Sequence, residues 1–442
     1  MTPQAPAKMR DSGIKWLGRV PAHWSVVQSR RLFSERNESA RQSDEQLTVS
    51  QKHGVISQAA FMELEGRRIV QVLKGQDILK HVEAGDFVMS MRSFQGGLEY
   101  SSRTGSVSSA YVPLKPLKWV HPRYFRHLFK SSTYIQELQS TSDLVRDGQA
   151  LRFENFSKVA LPVVPIAEQV AIAEYLDRAT SRIDTLIAKK VRFIQLLREK
   201  RQALITRAVT KGLDAAAQMK DSGVEWLGPA PSKWRVLPLK RDVAFITSGS
   251  RGWAEYYSER GALFLRIGNL RRGDFRLDLS EVQRVVPPEG SEGVRTKVRP
   301  GDLLFSITAY LGSVSVVPDD LGDAYVSQHV ALVRLAGRLL TPTWAAYVAL
   351  SWVGSTYLLS QGYGGTKVQL ALEDVLGMPV TVPPLDEQIA TVARLERATF
   401  RIDTLIARTE RSIELLREHR TALITAAVTG KLDVLGAALT TT

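Results

Sequence analysis

The sequence predicts an α+β protein in which one framework occurs twice, each copy enclosing a mixed α/β insert. Three observations predict it. The stretch "APAKMRDSGIKWLGRVPAHW" at 5–24 returns as "AAAQMKDSGVEWLGPAPSKW" at 215–234. Two long stretches free of Gly and Pro, 166–211 and 385–429, repeat each other and carry a heptad pattern. Between these elements lie two segments, 33–164 and 243–383, with short β-like runs and turn residues.

The duplication is quantitative. Residues 11–32 and 221–242 are identical at 10 of 22 positions, and 166–214 and 385–433 at 30 of 49. Each long stretch follows a proline, Pro165 or Pro384, and carries acids in its first turn: Glu168, and Asp386 with Glu387. Each meets a glycine at its end, Gly212 or Gly430. Proline at entry, acids at the positive end of the helix dipole and glycine at exit punctuate a helix. At 1.5 Å per residue each helix would be about 65–70 Å long, longer than one domain needs.

Apolar residues recur at 3–4 spacing on both helices. They are Ile183, Ile187, Ile194, Leu197 and Leu204 on the first, and Ile402, Ile406, Ile413, Leu416 and Leu423 on the second. This is a coiled-coil seam. Its polar interruptions match too, Lys190 with Thr409 and Arg201 with Arg420. Two such helices in one chain most simply pair with each other; the alternative is that each packs on its own insert.

The inserts share a skeleton and diverge in detail. "GDFVMS" at 85–90 matches "GDLLFS" at 301–306, and "VSSAYVPLKP" at 107–116 resembles "VSQHVALVRL" at 326–335. Each ends in a helical stretch, "HPRYFRHLFKSSTYIQEL" or "TPTWAAYVALSWVGSTYLL", followed by a Gly-containing loop, "RDGQALRFENF" or "GYGGTKVQLALED". A constant framework with divergent inserts suits the presentation of two different recognition surfaces.

Bulk properties narrow the class. The 442 residues carry a net charge of +14, which favours a polyanionic partner, nucleic acid first. Residues 1–214 hold 33 basic and 21 acidic side chains, residues 215–442 hold 26 and 24. There is no cysteine, so disulfides and thiolate metal sites are excluded. The N-terminus lacks the apolar core of a signal peptide, and the longest apolar run, "WAAYVALSWV" at 344–353, is too short to span a bilayer. It reads as a buried helix, and a cytoplasmic protein is expected.

In family order, these motifs resemble the specificity subunit of a type I restriction-modification system. The carrying residues are "DSGIKWLGRVPAHW" and "DSGVEWLGPAPSKW", then "ALPVVPIAEQVAIAEYLD" and "GMPVTVPPLDEQIATVARLE" entering the helices, and "RQALITRAVTKGLD" and "RTALITAAVTGKLD" closing them. The resemblance covers the whole chain. It implies two target recognition domains in pseudo-two-fold arrangement, joined by two long antiparallel coiled-coil helices. Each domain would read one half of a split, asymmetric double-stranded DNA sequence. The helices would act as a ruler between half-sites and as a dock for two methyltransferase subunits, with restriction subunits joining that core. S-adenosylmethionine, ATP and magnesium would then reside on partner subunits and no cofactor on this chain. Boundaries follow from the repeat: recognition domain one at 1–164, first helix 165–214, recognition domain two at 215–383, second helix 384–433, and a tail at 434–442. The rival class is a coiled-coil scaffold without DNA readout.

No catalytic motif accompanies this framework. There is no phosphate-binding G-x-x-x-x-G-K-[ST] loop, no G-x-G-x-x-G, no G-x-S-x-G and no Asn/Asp-Pro-Pro-aromatic run. The acids Asp319, Asp320 and Asp323 read as a solvated turn, and the seven histidines show no metal-ligand spacing. A non-catalytic subunit is expected.

Base reading needs Arg, Asn, Gln, Ser or Thr on loops, and phosphate contact needs Lys and Arg. In the first insert the suitable residues are Gln51, Lys52 and His53, then Arg92, Ser93 and Gln95, then Arg146, Gln149 and Arg152. In the second they are Arg251, Tyr256, Arg266, Asn269, Arg271, Arg272, Tyr363, Thr366, Lys367 and Gln369. Gly148 and Gly365 align, which makes 146–152 and 363–369 the best-matched loops. Phe94 and Trp253 have faces suited to base stacking, although core packing is the simpler reading. The family's recognition domains share no base-reading motif, so no reader is carried over.

Overall fold

The computed structural model describes residues 8–66, 78–91, 97–141, 151–249, 251–287, 290–364 and 368–434. The chain divides into two compact units, Met1–Lys190 with Arg411–Thr442, and Val191–Glu410. Each unit therefore takes one insert, one copy of the opening motif and a portion of both long helices.

The opening motif is a turn built by its own side chains. In "DSG" the Gly13 and Ile14 amides donate to Asp11 Oδ1 and Ser12 Oγ at 3.0 and 3.1 Å. Gly223 and Val224 do the same to Asp221 and Ser222 at 3.0 and 3.2 Å. Short polar side chains that bond their own backbone two residues on favour such turns. The chain then enters a two-stranded sheet that closes each insert. Strand Ser25–Gln28 pairs antiparallel with Ala160–Val163, and Arg235–Pro238 with Pro379–Val382. Gln28 faces Ala160 and Pro238 faces Pro379, so the register is the same in both units.

Each insert is built on a four-stranded sheet of one topology. Its order in the first unit is Phe33–Glu35, Tyr111–Pro116, Phe87–Ser90, Glu99–Tyr100; in the second, Val243–Ser248, Val330–Leu335, Leu303–Ser306, Val314–Val316. The sequence-matched strands keep their register, Phe87 facing Leu114 as Leu303 faces Val333. Alternating apolar side chains from these strands enter the core with Phe33, Phe87 and Phe129 in one unit, and with Leu303, Phe305 and Trp344 in the other. At the start of the matched strand lies a buried carboxylate in each unit. Asp86 accepts from Arg36 Nε and Nη2 at 2.6 and 3.2 Å, and Asp302 from Arg334 Nε and Nη2 at 2.8 and 2.6 Å. Bidentate pairing satisfies the buried charge, yet the arginine follows strand Phe33–Glu35 in one unit and lies within strand Val330–Leu335 in the other.

The expected helical stretch after each sheet is present and consists of two short helices. It forms Pro122–Leu128 and Ser132–Ser140 in one unit, and Pro342–Leu350 and Trp352–Ser360 in the other. Ser131 and Ser351 cause the break, their hydroxyls donating to Leu128 O and Val348 O at 2.7 and 2.6 Å. Ser351 also caps the following helix by accepting from Gly354 N at 3.2 Å.

The long helices run Ile166–Lys211 and Leu385–Val428. They are in contact and antiparallel within each unit. In the first, Ile172, Ala173 and Leu176 share a core with Leu423, Ile424, Ala427 and Val428, while farther along Asp184 binds Arg420 at 2.9 Å. In the second, Ile205, Ala208 and Val209 share a core with Val392 and Leu395. There Arg201 Nε binds Asp403 at 2.9 Å and Arg198 binds Glu410 at 3.0 Å. None of the ten heptad residues is exposed; Ile194, Leu197, Ile402, Ile413 and Leu423 are buried and the other five half-buried. The matched arginine interruptions of the seam, Arg201 and Arg420, each bind the aspartate of the partner helix's "RIDTLIA" run.

Candidate nucleic-acid interface

The repeated residues first build a mount for each insert. Trp24 Nε1 donates to Glu168 Oε2 at 3.0 Å, and Trp234 Nε1 to Glu387 Oε2 at 3.1 Å, tying the opening motif to the first turn of a long helix. The same two tryptophans meet the last turn of the other long helix. A Cβ on Gly430 would lie 2.9 Å from the Trp24 ring, and one on Gly212 would lie 3.2 Å from the Trp234 ring. Both glycines have left-handed φ, 70° and 73°, so they end their helices and leave room for the indole.

Next to each glutamate stands a fully buried glutamine. Gln169 Nε2 donates to Val164 O and Trp119 O at 2.8 and 2.9 Å, and its Oε1 accepts from His121 N at 2.8 Å. Gln388 repeats all three bonds with Pro383 O, Leu339 O and Thr341 N at 2.9, 2.7 and 2.9 Å. The "EQ" pair thus fixes helix start, sheet and insert to one another. Sequence reasoning used these residues only as markers of a helix start. Their recurrence in the same order in both copies, each "EQ" following its proline after its tryptophan, was the available signal.

Beyond this mount, strand ends and their loops gather at one end of each insert's sheets. In the second unit, strands Val243–Ser248 and Leu303–Ser306 both run antiparallel to Val330–Leu335, with Ser248 facing Ala331 and Ser306 facing Val330. Strand Ala262–Leu265 runs parallel to Ala324–Val326, Leu265 facing Val326. Gly249 and the loops at 251–256, 266–272, 307–312 and 327–329 therefore lie at one end. Val368 and Leu370 join them: Ala309 N donates to Val368 O at 3.3 Å and Leu370 N to Ile307 O at 2.9 Å.

That end gathers the described candidates of the second insert. Arg251, Arg266, Arg271, Arg272, Tyr363 and Gln369 are exposed, and Tyr256 is half-buried. Arg271 pairs with Asp278 at 3.4 Å, and the Arg272 guanidinium lies 4.1 Å over the Tyr310 ring. Arg251 and Arg266 make no ion pair among the described residues. Asn269 is corrected. It is buried, its Oδ1 accepts from Arg266 N at 2.9 Å, and its amide donates to Asp278 O and Glu281 O at 2.8 and 2.9 Å. An amide so committed shapes the loop and has no group to offer a base. Trp253 packs in a core with Phe264, Val285 and Tyr325. Thr366 and Lys367 lie outside the described residues.

The first unit has the equivalent end. Gln46 bridges Ser106 in parallel, so the hairpin between Leu47–Ser50 and Gly54–Ser57 puts its tip beside the 108–110 turn. Gln51 and Lys52 are exposed at that tip and His53 is half-buried. Lys52 and His53 bind Glu65 at 2.7 and 2.8 Å, and these bonds lower its carboxyl to about 2. Arg152 is exposed and follows Leu151, whose amide donates to Met91 O at 3.0 Å, the counterpart of Leu370 N to Ile307 O. Arg92, Ser93, Gln95, Arg146 and Gln149 lie outside the described residues, as does Phe94.

Sequence reasoning missed Tyr310 and the 307–312 loop. Extending the match of "GDFVMS" to "GDLLFS" would have aligned "MRSFQGG" with "ITAYLGS". Ala309 stands there with φ 60°, a left-handed conformation uncommon for a non-glycine residue. Among the described residues no group of three His, Asp or Glu side chains is placed to hold a metal. No described helix is long and apolar enough to cross a membrane.

Fold and site define a duplicated-framework protein in which matched mounts on a helix pair hold chemically different loop ends. The chain is 23% identical to the type I restriction enzyme StySPI specificity subunit of Salmonella potsdam over 372 residues, 82% of this chain and 76% of that protein. It is 24% identical to the EcoKI specificity subunit of Escherichia coli K12 over 379 residues, with the same coverage. No protein-family model matches. A chain from a solved assembly of a type I restriction-modification system superposes with a TM-score of 0.70 at 16% identity, covering 93% of this chain and 99% of that one. The HsdS subunit of Thermoanaerobacter tengcongensis gives 0.53 at 16%, over 93% and 98%. The chain is a homologue of type I restriction-modification specificity subunits and has their fold.

Proposed function

We propose that this chain is the DNA-reading specificity subunit of a type I restriction-modification complex. Each unit reads one half of a split, asymmetric double-stranded target. The long helices set the spacing between half-sites and carry two methyltransferase subunits, and restriction subunits join them. Catalysis, with S-adenosylmethionine, ATP and magnesium, belongs to those partners in the cytoplasm.

One observation carries this reading. The two sheets and mounts agree in register, while the loops at the corresponding end of each differ in sequence. A scaffold has no need of two unlike ends on one frame; a reader of an asymmetric sequence does. Charge agrees with a role shared among subunits. Segments 33–164 and 243–383 carry net charges of +3 and 0. Phosphate neutralisation supplies much of DNA affinity, so partners must add to the grip.

The test is the methylome of a host carrying this chain with its methyltransferase. One split motif should be present and should vanish when the chain is deleted. A methylome in which no motif depends on the chain would leave the scaffold reading standing.

A further inference from the structure

The turn 327–329, between Ala324–Val326 and Val330–Leu335, lies in the middle of the loop end of the second unit. We propose that Gln328 on this turn is a specificity-determining residue that reads an adenine edge in the major groove. The inference rests on the DNA-reading function above.

Backbone hydrogen bonds tie the turn to the strands and loops beside it. Ser327 N donates to Leu265 O at 2.9 Å, Val330 N to Ser327 O at 3.0 Å, and Ile307 N to His329 O at 3.1 Å. Gly249 presses on it so closely that a Cβ there would lie 2.1 Å from Val326 O. A reader fixed on strand ends spends little entropy in docking.

The side chain is oriented as well. The Gln328 and His329 Nε2 atoms are 3.0 Å apart. With His329 neutral and accepting at Nε2, the carboxamide spends one N–H there. Its carbonyl oxygen and second N–H stay available side by side. Adenine presents the complementary donor and acceptor, N6–H and N7, in the major groove. Around the turn is a cavity of about 250 Å³, also lined by Tyr257, Arg266 and Ser327. The Ser327 hydroxyl is buried with no hydrogen-bond partner among the described residues. Arg266 supplies a cation at the rim for a phosphate or a guanine.

The first unit differs at this position. Its turn reads Ser108-Ser109-Ala110, and Ser108 Oγ accepts from Ala110 N at 3.3 Å. Two frames in one register with unlike groups at their central turn distinguish one half-site from the other.

The experiment uses the full chain with its methyltransferase subunits and duplexes bearing the methylome-derived motif. Each base pair of the second half-site is changed in turn. Wild type should favour A·T at one pair by about 5- to 150-fold, the range for a bidentate base contact. Gln328→Ala should level that pair while every other preference persists. Gln328→Glu should move the preference there toward cytosine, whose N4 amino group donates to a carboxylate. Unchanged discrimination in Gln328→Ala would overturn the proposal. So would an equal loss across all duplexes, which marks a phosphate contact or a structural prop. Should wild type itself show no base preference, the DNA-reading function fails first, and the two failures are thus told apart.

Discussion

At the residue scale, the recurring polar side chains are joints rather than readers. Gln169 and Gln388 each satisfy three backbone groups from inside the protein. Each buried group stripped of its partner costs about 1–3 kcal/mol. Gln388→Leu should therefore lower stability by about 3 kcal/mol or more, read as a lower urea midpoint at unchanged slope. Gln169→Leu should do the same in the first unit. A loss below about 0.5 kcal/mol, the size of an ordinary surface change, would show that the triple bond does not hold the insert. These joints were visible in the sequence only as identities. Nothing in "AEQ" or "DEQ" states that the glutamine faces inward, because burial is a property of the packed neighbours. Asn269 shows the reverse: a residue type suited to adenine is consumed by its own loop.

At the element scale, the helices were legible because their signal is local. Proline entry, glycine exit and 3–4 apolar spacing all act within a few turns, and the helix bounds follow them. The Asp184–Arg420 and Arg201–Asp403 pairs are partly exposed and contribute about 0.2–1 kcal/mol each. Their worth is register rather than stability. If the helices set the half-site spacing, four residues inserted after Arg192 and again after Arg411, equivalent points of the repeat, add about 6 Å and about 1.1 turns to each helix. The methylated motif should then gain one or two base pairs of spacer, since DNA advances 3.4 Å per pair, with both half-sites unchanged. Two-residue insertions turn the apolar stripe by about 200° and should abolish assembly instead. A four-residue variant that stays active with its original spacer would move the ruler role to the partners. The broken helices at Ser131 and Ser351 were less legible, because a serine hydroxyl serves equally as a solvated group or as a cap.

At the scale of the whole molecule, each insert is mounted by contacts that recur in both units, so inserts should exchange as modules. Replacing 33–148 with the corresponding segment of a related chain should change one half of the methylated motif and spare the other. Both halves changing together would mean that readout is not divided between the units. The physical reason to expect division is that the tryptophan, glutamate and glutamine of the mount lie outside the exchanged segment, and the groups that Gln169 meets inside it, Trp119 O and His121 N, are backbone groups that a corresponding segment also supplies.

The sequence by itself determined the duplication, the two helices and their seam, and the family resemblance. All of these are written in local periodicity or in identity between distant stretches. Only the tertiary structure decided which side chains share the loop end, that Asn269 faces inward, that Tyr310 receives Arg272, and that Gln328 stands at the centre. Pairing of strands distant in sequence, Ser306 with Val330, Leu265 with Val326 and Ser248 with Ala331, brings those groups together. No short window of sequence records a register that long-range hydrogen bonds create.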